Sequence, residues 1–434
     1  MSKLVAVISS PVDTYSGYGA RARDFVKAVI KTQTDWEVKL ISQRWGDTRF
    51  GYLEDHNEKD LSKRIIPNIS SKPDIWIQIT VPNEFQPVGK YNIGVTAAIE
   101  TTLCHGSWIE GVNRMDLTLT SSNHGKLVFE NSTFDIQDKQ GNKTGVLKLN
   151  KPVEVLFEGV DTDKYKPVSM PKGNKVVEAL DSIPEQFCFL VVGHWLQGEF
   201  NQDRKNIGLT IERFLTTFKH QHKKPALVLK TQSGNSSIMD QTAILKKIDA
   251  IRKLVGGSLP NIYLLHGELP DEDVNLLYNH PKIKAMVSLT KGEGFGRPLL
   301  EFTTTGKPII ASAWSGHTDF LRKDLNLFVG GKLEEVHDSA VIKDMILKES
   351  KWFNADHNQA SKAYKILYKK YKQHLPKSKS QATNTKKYWT FDKMAETLDS
   401  IFEKRIPKFS KKVDLKLPSL SSIKLPENKL KIKQ

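Results

Sequence analysis

Strand-like apolar runs alternate with helix-length segments along most of this chain, and that alternation limits the possible folds more than any other feature. A first series of short runs rich in β-branched residues lies at 4–9, 37–42, 74–79, 92–97, 116–121 and 153–157. A second series begins at 187–193 and ends at 327–331. Because parallel strands need a crossover segment between them, this order predicts an α/β protein with helices on both faces of parallel sheets. Two such arrays, joined near 158–186, predict two Rossmann-like doubly wound domains that face each other across a ligand-binding cleft.

Domain boundaries are predicted from the same pattern. We expect an N-terminal domain over 1–160, a C-terminal domain over 161–387, a helix over 388–405 that returns to the N-terminal domain, and a basic tail over 406–434. The polar run SKSQATNT, 378–385, is predicted to be a linker that follows a basic helix.

Cysteine content and hydropathy exclude several classes of protein. The 434 residues include only two cysteines, Cys104 and Cys188, which are too few for a disulfide scaffold or a Cys-rich zinc module. No run of 18 apolar residues occurs, and the apolar run near the N-terminus is too short for a signal peptide. We therefore predict a cytoplasmic protein.

The net charge of +16 is concentrated towards the C-terminal end. The segment 362–387 contains nine lysines and no acidic residue, and the segment 404–434 contains ten basic and two acidic residues. These two segments account for the whole excess, so the rest of the chain is close to neutral. The basic segments predict a polyanionic partner and carry no information about the fold.

One stretch, 289–321, has a pattern that indicates chemistry. A predicted strand ends in the Gly-rich turn KGEGFG and enters a helix with Pro298 in its first turn. The exposed amides of such a helix start favour an anion. Glu293 in the turn and Glu301 in the helix are separated by seven residues, so both can face one ligand.

This stretch resembles the E-x7-E element of retaining GT-B glycosyltransferases, most closely those of glycosyltransferase family four. The resemblance implies the GT-B fold, with a donor-binding C-terminal domain and an acceptor-binding N-terminal domain. It makes Glu293 a partner of the transferred sugar and Glu301 a partner of the ribose hydroxyls of a nucleotide. The implied donor-binding loop includes Gly294, Phe295, Gly296 and Arg297.

Two further segments resemble the family's diphosphate-binding parts. SGYGARARDF resembles its N-terminal Gly-rich loop, in which Gly17 and Gly19 would let the backbone approach the diphosphate. The segment that follows 187–193 departs from the family pattern, because the usual arginine is replaced by His194 and an insertion precedes Arg204 and Lys205. The resemblance implies that Lys205 neutralises the leaving diphosphate, with Arg204 as the substitute for the missing cation. The alternative is that both side chains are solvated in a loop.

Glu100, in the run IETT, would lie at the cleft where other members of the family carry a histidine, and is either catalytic or structural. The triplets Asp161-Thr162-Asp163 and Asp271-Glu272-Asp273 match a metal-binding pattern of a different glycosyltransferase fold. Their positions in a domain entry and at a helix start favour structural roles. We expect no metal requirement. The implied donor is a UDP- or GDP-sugar, transferred with retention and without a protein nucleophile.

The acceptor is suggested by the basic segments and by an N-domain loop. Similar chains with Lys-Pro-Leu tails are typical of tailed bacteriophages, which suggests a hydroxylated base of phage DNA, bound through the basic segments in the host cytoplasm. Basic and aromatic side chains that could bind DNA, or could equally form a packed surface loop, occur together in the loop 43–52: Arg44, Trp45, Arg49, Phe50 and Tyr52. The alternatives are an enzyme that acts on a lipid-linked or envelope glycan at an anionic membrane surface, and a nucleic-acid-binding protein on an inactive scaffold. No obligate protein partner is predicted.

Overall fold

Two parallel six-stranded sheets form the framework of the structure, a computed structural model that describes residues 3–196, 198–233 and 236–409. Each sheet has its crossover helices on both faces, which confirms the predicted α/β class and the two doubly wound domains. Of the predicted basic tail, 406–434, only the first four residues are described; the rest lies outside the described residues.

The first sheet has the strand order β2-β1-β3-β4-β5-β8, and every neighbouring pair is parallel. Its strands are β1 Leu4–Ser10, β2 Trp36–Ser42, β3 Ile75–Ile79, β4 Tyr91–Thr96, β5 Leu117–Thr120 and β8 Val153–Val155. Its helices are α1 Gly17–Thr32, α2 Tyr52–Asp55, α3 Lys59–Ser62, α4 Gly106–Arg114 and α5 Asn123–Asn131, with a 3-10 turn at Pro82–Glu84. A hairpin of β6 Phe134–Gln137 and β7 Lys143–Leu147 lies outside the sheet.

The second sheet has the order β11-β10-β9-β12-β13-β14 and is also parallel throughout. Its strands are β9 Cys188–Val192, β10 Ala226–Lys230, β11 Ile262–Leu265, β12 Ile283–Ser288, β13 Ile309–Ser312 and β14 Leu327–Val329. Its helices are α6 Lys175–Asp181, α7 Ile207–Phe218, α8 Ile238–Val255, α9 Asp271–Asn279 and α10 Arg297–Thr303. The antiparallel pair β15 Gly331–Glu335 and β16 Lys351–Ala355 follows, with 3-10 turns at Gly316–Thr318 and Asp338–Ala340.

The chain ends its described part with two long helices, α11 His357–Tyr388 and α12 Phe391–Arg405. The prediction that the polar segment 378–385 is a linker is wrong, because this segment forms the last turns of α11. Its small side chains allow close packing. The hydroxyl of Thr303 donates a hydrogen bond to the hydroxyl of Thr385 at 2.8 Å, and the side-chain amide of Gln381 donates to the carbonyl of Phe320. The polar composition therefore reflects tertiary hydrogen bonds that a sequence pattern does not reveal.

Helix α12 packs against α1 and contributes Met394, Leu398 and Phe402 to the core of the N-terminal domain. The ring of Phe402 stacks on that of Trp36, with the centroids 5.5 Å apart. The chain thus crosses between the domains twice, and the two crossings pair with each other. Val160 donates its amide to the carbonyl of Trp389 and accepts from the amide of Phe391, both at 2.9 Å.

We expect Leu398→Ala to destabilise the protein by about 2–5 kcal/mol, because a fully buried leucine leaves a cavity between α12 and the N-terminal core. Urea unfolding measures the change. The control, Leu254→Ala, alters a leucine of α8 that is 67% exposed and should change the midpoint little. The prediction would be contradicted if the urea midpoint of Leu398→Ala stayed as close to the wild-type value as that of Leu254→Ala.

Candidate active site

The loop between β12 and α10 touches the N-terminal domain directly. A Cβ atom on Gly292 would lie 2.2 Å from the carbonyl oxygen of Glu100, and one on Gly294 would lie 2.8 Å from that of Ala97. Two glycines of the Gly-rich turn are therefore required for contact between the domains. The next glycine, Gly296, is the N-cap of α10 and has a φ of 100°.

Glu293, held between these glycines, forms a buried ion pair with Lys205. The Lys205 Nζ lies 2.6 Å from both carboxylate oxygens, and the backbone amide of Glu293 donates to the Ser315 hydroxyl at 2.9 Å. Burial alone would raise the pKa of Glu293, but the charges of Lys205 and Arg204 hold it below its usual value. Burial also lowers the pKa of Lys205, but the two 2.6 Å contacts to the carboxylate support an ion pair at this position.

Arg204 forms a second ion pair across the domain boundary. Its Nη1 lies 2.8 Å from Oε1 of Glu100 and donates to the carbonyl of Gly292 at 3.3 Å. The four residues predicted to be catalytic, Glu100, Arg204, Lys205 and Glu293, thus lie together where the domains meet. The alternative in which Arg204 and Lys205 are freely solvated does not match these contacts, since both are mostly covered.

Glu301 lies one turn along α10, beside a cavity of about 280 Å³ in the cleft. It accepts from Nε of Arg297 at 2.9 Å and from the hydroxyl of Tyr278 at 3.4 Å. Burial raises the pKa of Glu301 to about 7, although Arg297 opposes this. Arg297 also reaches the N-terminal domain, where its Nη1 lies 2.5 Å from Oδ2 of Asp24.

His194 also lines this cavity, where the family pattern would place an arginine. Burial, together with the nearby charge of Lys205, lowers the pKa of His194 to about 4, so it is neutral at pH 7. It does not replace the missing cation. A lysine that our sequence analysis missed, Lys230, lines the same cavity and donates to the carbonyl of Gly267. Lys230 could have been predicted from the sequence as a ligand-binding residue, because it ends the otherwise apolar strand β10 at the carboxyl edge of a parallel sheet.

The N-terminal wall of the cavity is formed by the start of α1. Ser16 is the N-cap, and its hydroxyl accepts from the amide of Gly19 at 2.8 Å. Gly17 leaves open space at the helix start, since an added Cβ would meet nothing within 4 Å. Gly19 has a different reason to be glycine: a Cβ there would lie 2.3 Å from the carbonyl oxygen of Thr14.

The five residues predicted to bind the acceptor do not form one surface. Arg44 and Phe50 are exposed, whereas Trp45 stacks on Tyr18 with the centroids 4.0 Å apart. Tyr52 is buried under the guanidinium of Arg23, 3.3 Å from its ring centroid, and lines the cleft cavity instead.

Arg49 is exposed and forms ion pairs with Asp55 and, across the cleft, with Glu268 at 3.8 Å. The other predicted donor-loop residue, Phe295, is buried beside Phe320 in the core of the C-terminal domain, so only its backbone is available to a ligand.

Both Asp-x-Asp triplets have structural partners. Asp161 accepts from the amide of Asp163 at 2.9 Å, and Asp271 pairs with Lys164 at 3.0 Å. Across residues 3–196, 198–233 and 236–409, no group of three or more His, Cys, Asp or Glu side chains is placed to hold a metal ion. Within the same described part of the chain, no helix is long and apolar enough to cross a membrane.

Comparisons with known proteins agree with this geometry. The family model of glycosyl transferases group 1 matches residues 258–365, which include the whole loop between β12 and α10. A comparison with curated protein sequences finds no match. The match covers the part of the chain that contains Glu293 and Glu301.

Solved structures show the same fold over nearly the whole chain. A glycosyltransferase from Rickettsia africae is 12% identical, with a TM-score of 0.62. The match covers 94% of this chain and 99% of the Rickettsia protein. Sucrose-phosphate synthase from Thermosynechococcus elongatus is 12% identical, with a TM-score of 0.58 over 93% and 98% of the two chains. HepE from Anabaena, in complex with UDP and glucose, is 9% identical and has a TM-score of 0.59. The match covers 92% of this chain and 100% of HepE. The chain therefore has the GT-B fold.

The raised pKa of Glu301 predicts a pH dependence of stability. The folded state keeps this proton up to about pH 7, whereas an unfolded glutamic acid loses it near 4.5, so the penalty for burying the charge is absent at low pH and grows between these values. We expect the free energy of unfolding of the wild type to fall relative to Glu301→Gln by about 1 kcal/mol per pH unit in that range. Urea unfolding at several pH values measures the difference, with the exposed Glu272→Gln as control. A difference that does not change with pH would contradict the shift.

Proposed function

We propose that this protein transfers a sugar from a nucleotide sugar to an acceptor hydroxyl, with retention of configuration. The observation that carries the proposal is the cluster of Glu293, Lys205, Arg204 and Glu100 where the domains meet. The loop that holds Glu293 continues into α10, whose Arg297 and Glu301 line the cleft cavity. The structure of HepE with UDP and glucose supports a nucleotide-sugar donor, and we propose a UDP- or GDP-sugar. In this proposal residues 1–160 bind the acceptor and 161–387 bind the donor.

Each charged group has a role in the proposed reaction. The bond from sugar C1 to the leaving phosphate oxygen breaks, and C1 bonds to the acceptor oxygen on the same face, while the acceptor proton passes to the departing phosphate. Lys205 and Arg204 stabilise the negative charge that develops on the diphosphate, and the first amides of α10 assist them. These groups take the part that a metal ion plays in other transferases, so the proposed reaction requires none.

The carboxylates hold the donor and the cations in place. Glu293 contacts a hydroxyl of the transferred sugar and keeps the Lys205 ammonium near the diphosphate. Glu100 orients Arg204 from the opposite domain. Glu301 accepts hydrogen bonds from the ribose hydroxyls of the donor.

We expect Glu293→Gln to lower turnover by about 10²-fold or more, because it removes the charge that positions Lys205 and the contact to the sugar. Transfer is measured with a panel of UDP- and GDP-sugars by mass analysis of the product. Glu272→Gln, an exposed substitution on α9, serves as the control and should leave turnover unchanged. Near-normal turnover in Glu293→Gln would refute the assignment of the active site.

We further propose that the acceptor is a hydroxymethylated base of DNA and that the enzyme is encoded by a tailed bacteriophage and acts in the host cytoplasm. All nine lysines of 362–387 are exposed on α11, and none of them forms an ion pair within the described residues. An unpaired row of cations of this kind attracts a polyanion and releases its counterions on binding.

The apolar side of the same helix favours DNA over a membrane surface. Tyr364 and Leu367 are fully buried, and the rings of Tyr368 and Tyr371 pack on Phe187 at 5.0 and 5.5 Å. These side chains are therefore occupied by the C-terminal domain and do not form a face that could insert into lipid.

We expect the triple variant Lys365→Gln, Lys369→Gln, Lys372→Gln to weaken binding to hydroxymethylated duplex DNA. The slope of log affinity against log salt should become shallower by about one for each DNA phosphate that the variant no longer neutralises. The control replaces three scattered, exposed lysines with glutamine: Lys151, Lys172 and Lys223. Equal slopes in the two variants would refute the role of α11. Binding to anionic vesicles without binding to DNA would favour the envelope-glycan alternative, and DNA binding without any transfer would favour an inactive scaffold.

A further inference from the structure

Two of the cations that line the cleft cavity have no carboxylate partner. The carboxylates that line it each lie within ion-pair distance of a cation of their own: Glu268 of Arg49, Asp271 of Lys164, and Glu301 of Arg297. Arg23 and Lys230 also line the cavity, and neither forms an ion pair within residues 3–196, 198–233 and 236–409. Two positive charges, one from each domain, are therefore left over, and the cavity is complementary to an anion.

Arg23, on α1, keeps one edge of its guanidinium free. Its Nη1 donates to the carbonyls of Val12 and Thr14, both at 2.9 Å, and its guanidinium carbon lies 3.3 Å from the ring centroid of Tyr52. No hydrogen bond joins Nε or Nη2 to another described residue, and neither nitrogen is shut off from solvent. This edge carries two N–H groups whose spacing fits two oxygens of one phosphate.

Arg21, two residues earlier on the same helix, shows that burial alone does not leave such an edge. It is 6% exposed, as Arg23 is, but both of its terminal nitrogens donate to backbone carbonyls, those of Phe157 and Leu156. Its Nε is enclosed, and the residue does not line the cavity. Arg21 therefore has a structural role, whereas Arg23 retains donors for a ligand.

Lys230 lies at the cavity on the opposite domain, beside position 194. The amide of Gly193 donates to the carbonyl of Lys230 at 3.2 Å, so β10 places this lysine next to His194, the position that the family pattern gives to an arginine. Its Nζ donates to one carbonyl, that of Gly267, although an ammonium has three donors. Burial lowers the pKa of Lys230 and of Arg23, and an anionic ligand in the cavity would oppose this effect.

Among the groups of the proposed donor, the phosphate bonded to the ribose, the α-phosphate, suits this place. Glu301, the proposed partner of the ribose hydroxyls, lines the same cavity, whereas Lys205 and Glu293 do not. A ribose beside Glu301 keeps the α-phosphate in this cavity, and the second phosphate and the sugar then extend towards Lys205 and Glu293.

We propose that Arg23 and Lys230 bind the α-phosphate of the nucleotide-sugar donor, one from each domain. The inference rests on the proposed function and adds two residues that the sequence pattern of the site did not include. Lys230 supplies the cation that His194 does not, and Arg23 brings the N-terminal domain onto the same phosphate. Since one anion is shared by both domains, donor binding favours the arrangement in which the cleft is closed.

Calorimetric titration of the full chain with a nucleoside, its monophosphate and its diphosphate tests the proposal, with the uridine and guanosine series as probes. We expect Arg23→Gln and Lys230→Gln each to weaken binding of the monophosphate about tenfold or more, because each removes a charged hydrogen bond to the α-phosphate. The diphosphate should lose the same factor, and the nucleoside should bind as it does to the wild type. Because Arg23 also holds the carbonyls of Val12 and Thr14, the Lys230 variant tests the proposal independently of that loop.

Arg21→Gln is the matched control, since it removes an equally buried arginine of α1 that does not line the cavity. It should leave the ratio of monophosphate to nucleoside affinity unchanged. The proposal is overturned if both cavity variants bind the monophosphate as the wild type does, or if their loss appears only between monophosphate and diphosphate. It is also overturned if the nucleoside loses as much affinity as the monophosphate, which would indicate a structural role. If the wild type binds no nucleotide of either series, the proposed function itself fails, and this inference with it.

Discussion

The direct contact between two backbones, one from each domain, is the constraint on which the candidate active site depends. At Gly292 and Gly294 the loop of the C-terminal domain lies so close to residues 97–100 that a side chain would collide with a carbonyl oxygen. This proximity brings Glu100 within 2.8 Å of Arg204 and leaves Glu293 covered on both sides. Removal of water from the four charged groups strengthens every electrostatic interaction among them, which is the condition that charge stabilisation in catalysis requires.

The sequence was most informative where local pattern and fold agree. Alternating strands and helices predicted both sheets, because apolar strand runs in parallel sheets are long and uninterrupted. The spacing of Glu293 and Glu301 placed one in a loop and one in the following helix, as the structure has them. The predicted roles of individual site residues are still predictions, but Glu100, Arg204, Lys205 and Glu293 do lie together.

Other features depended on contacts between distant parts of the chain and could not be predicted. The polar residues of 378–385 continue a helix only because Gln381 and Thr385 find buried partners more than 60 residues away. The basic and aromatic residues of the loop 43–52 left open whether they bind nucleic acid or pack, and the structure uses Trp45 and Tyr52 in packing inside the N-terminal domain. The protonation state of His194 depends on burial and on neighbouring cations, which a sequence motif does not show.

The pairing of the two interdomain crossings has a mechanical consequence. Val160 of the first crossing is hydrogen-bonded to both neighbours of Thr390 in the second, so the two connections are joined at a single parallel bridge. We expect a rotation of one domain against the other to hinge near Val160 and Thr390, where both chain connections lie side by side. Such a rotation opens the cleft most at the points farthest from this bridge and changes least the distance between residues beside it.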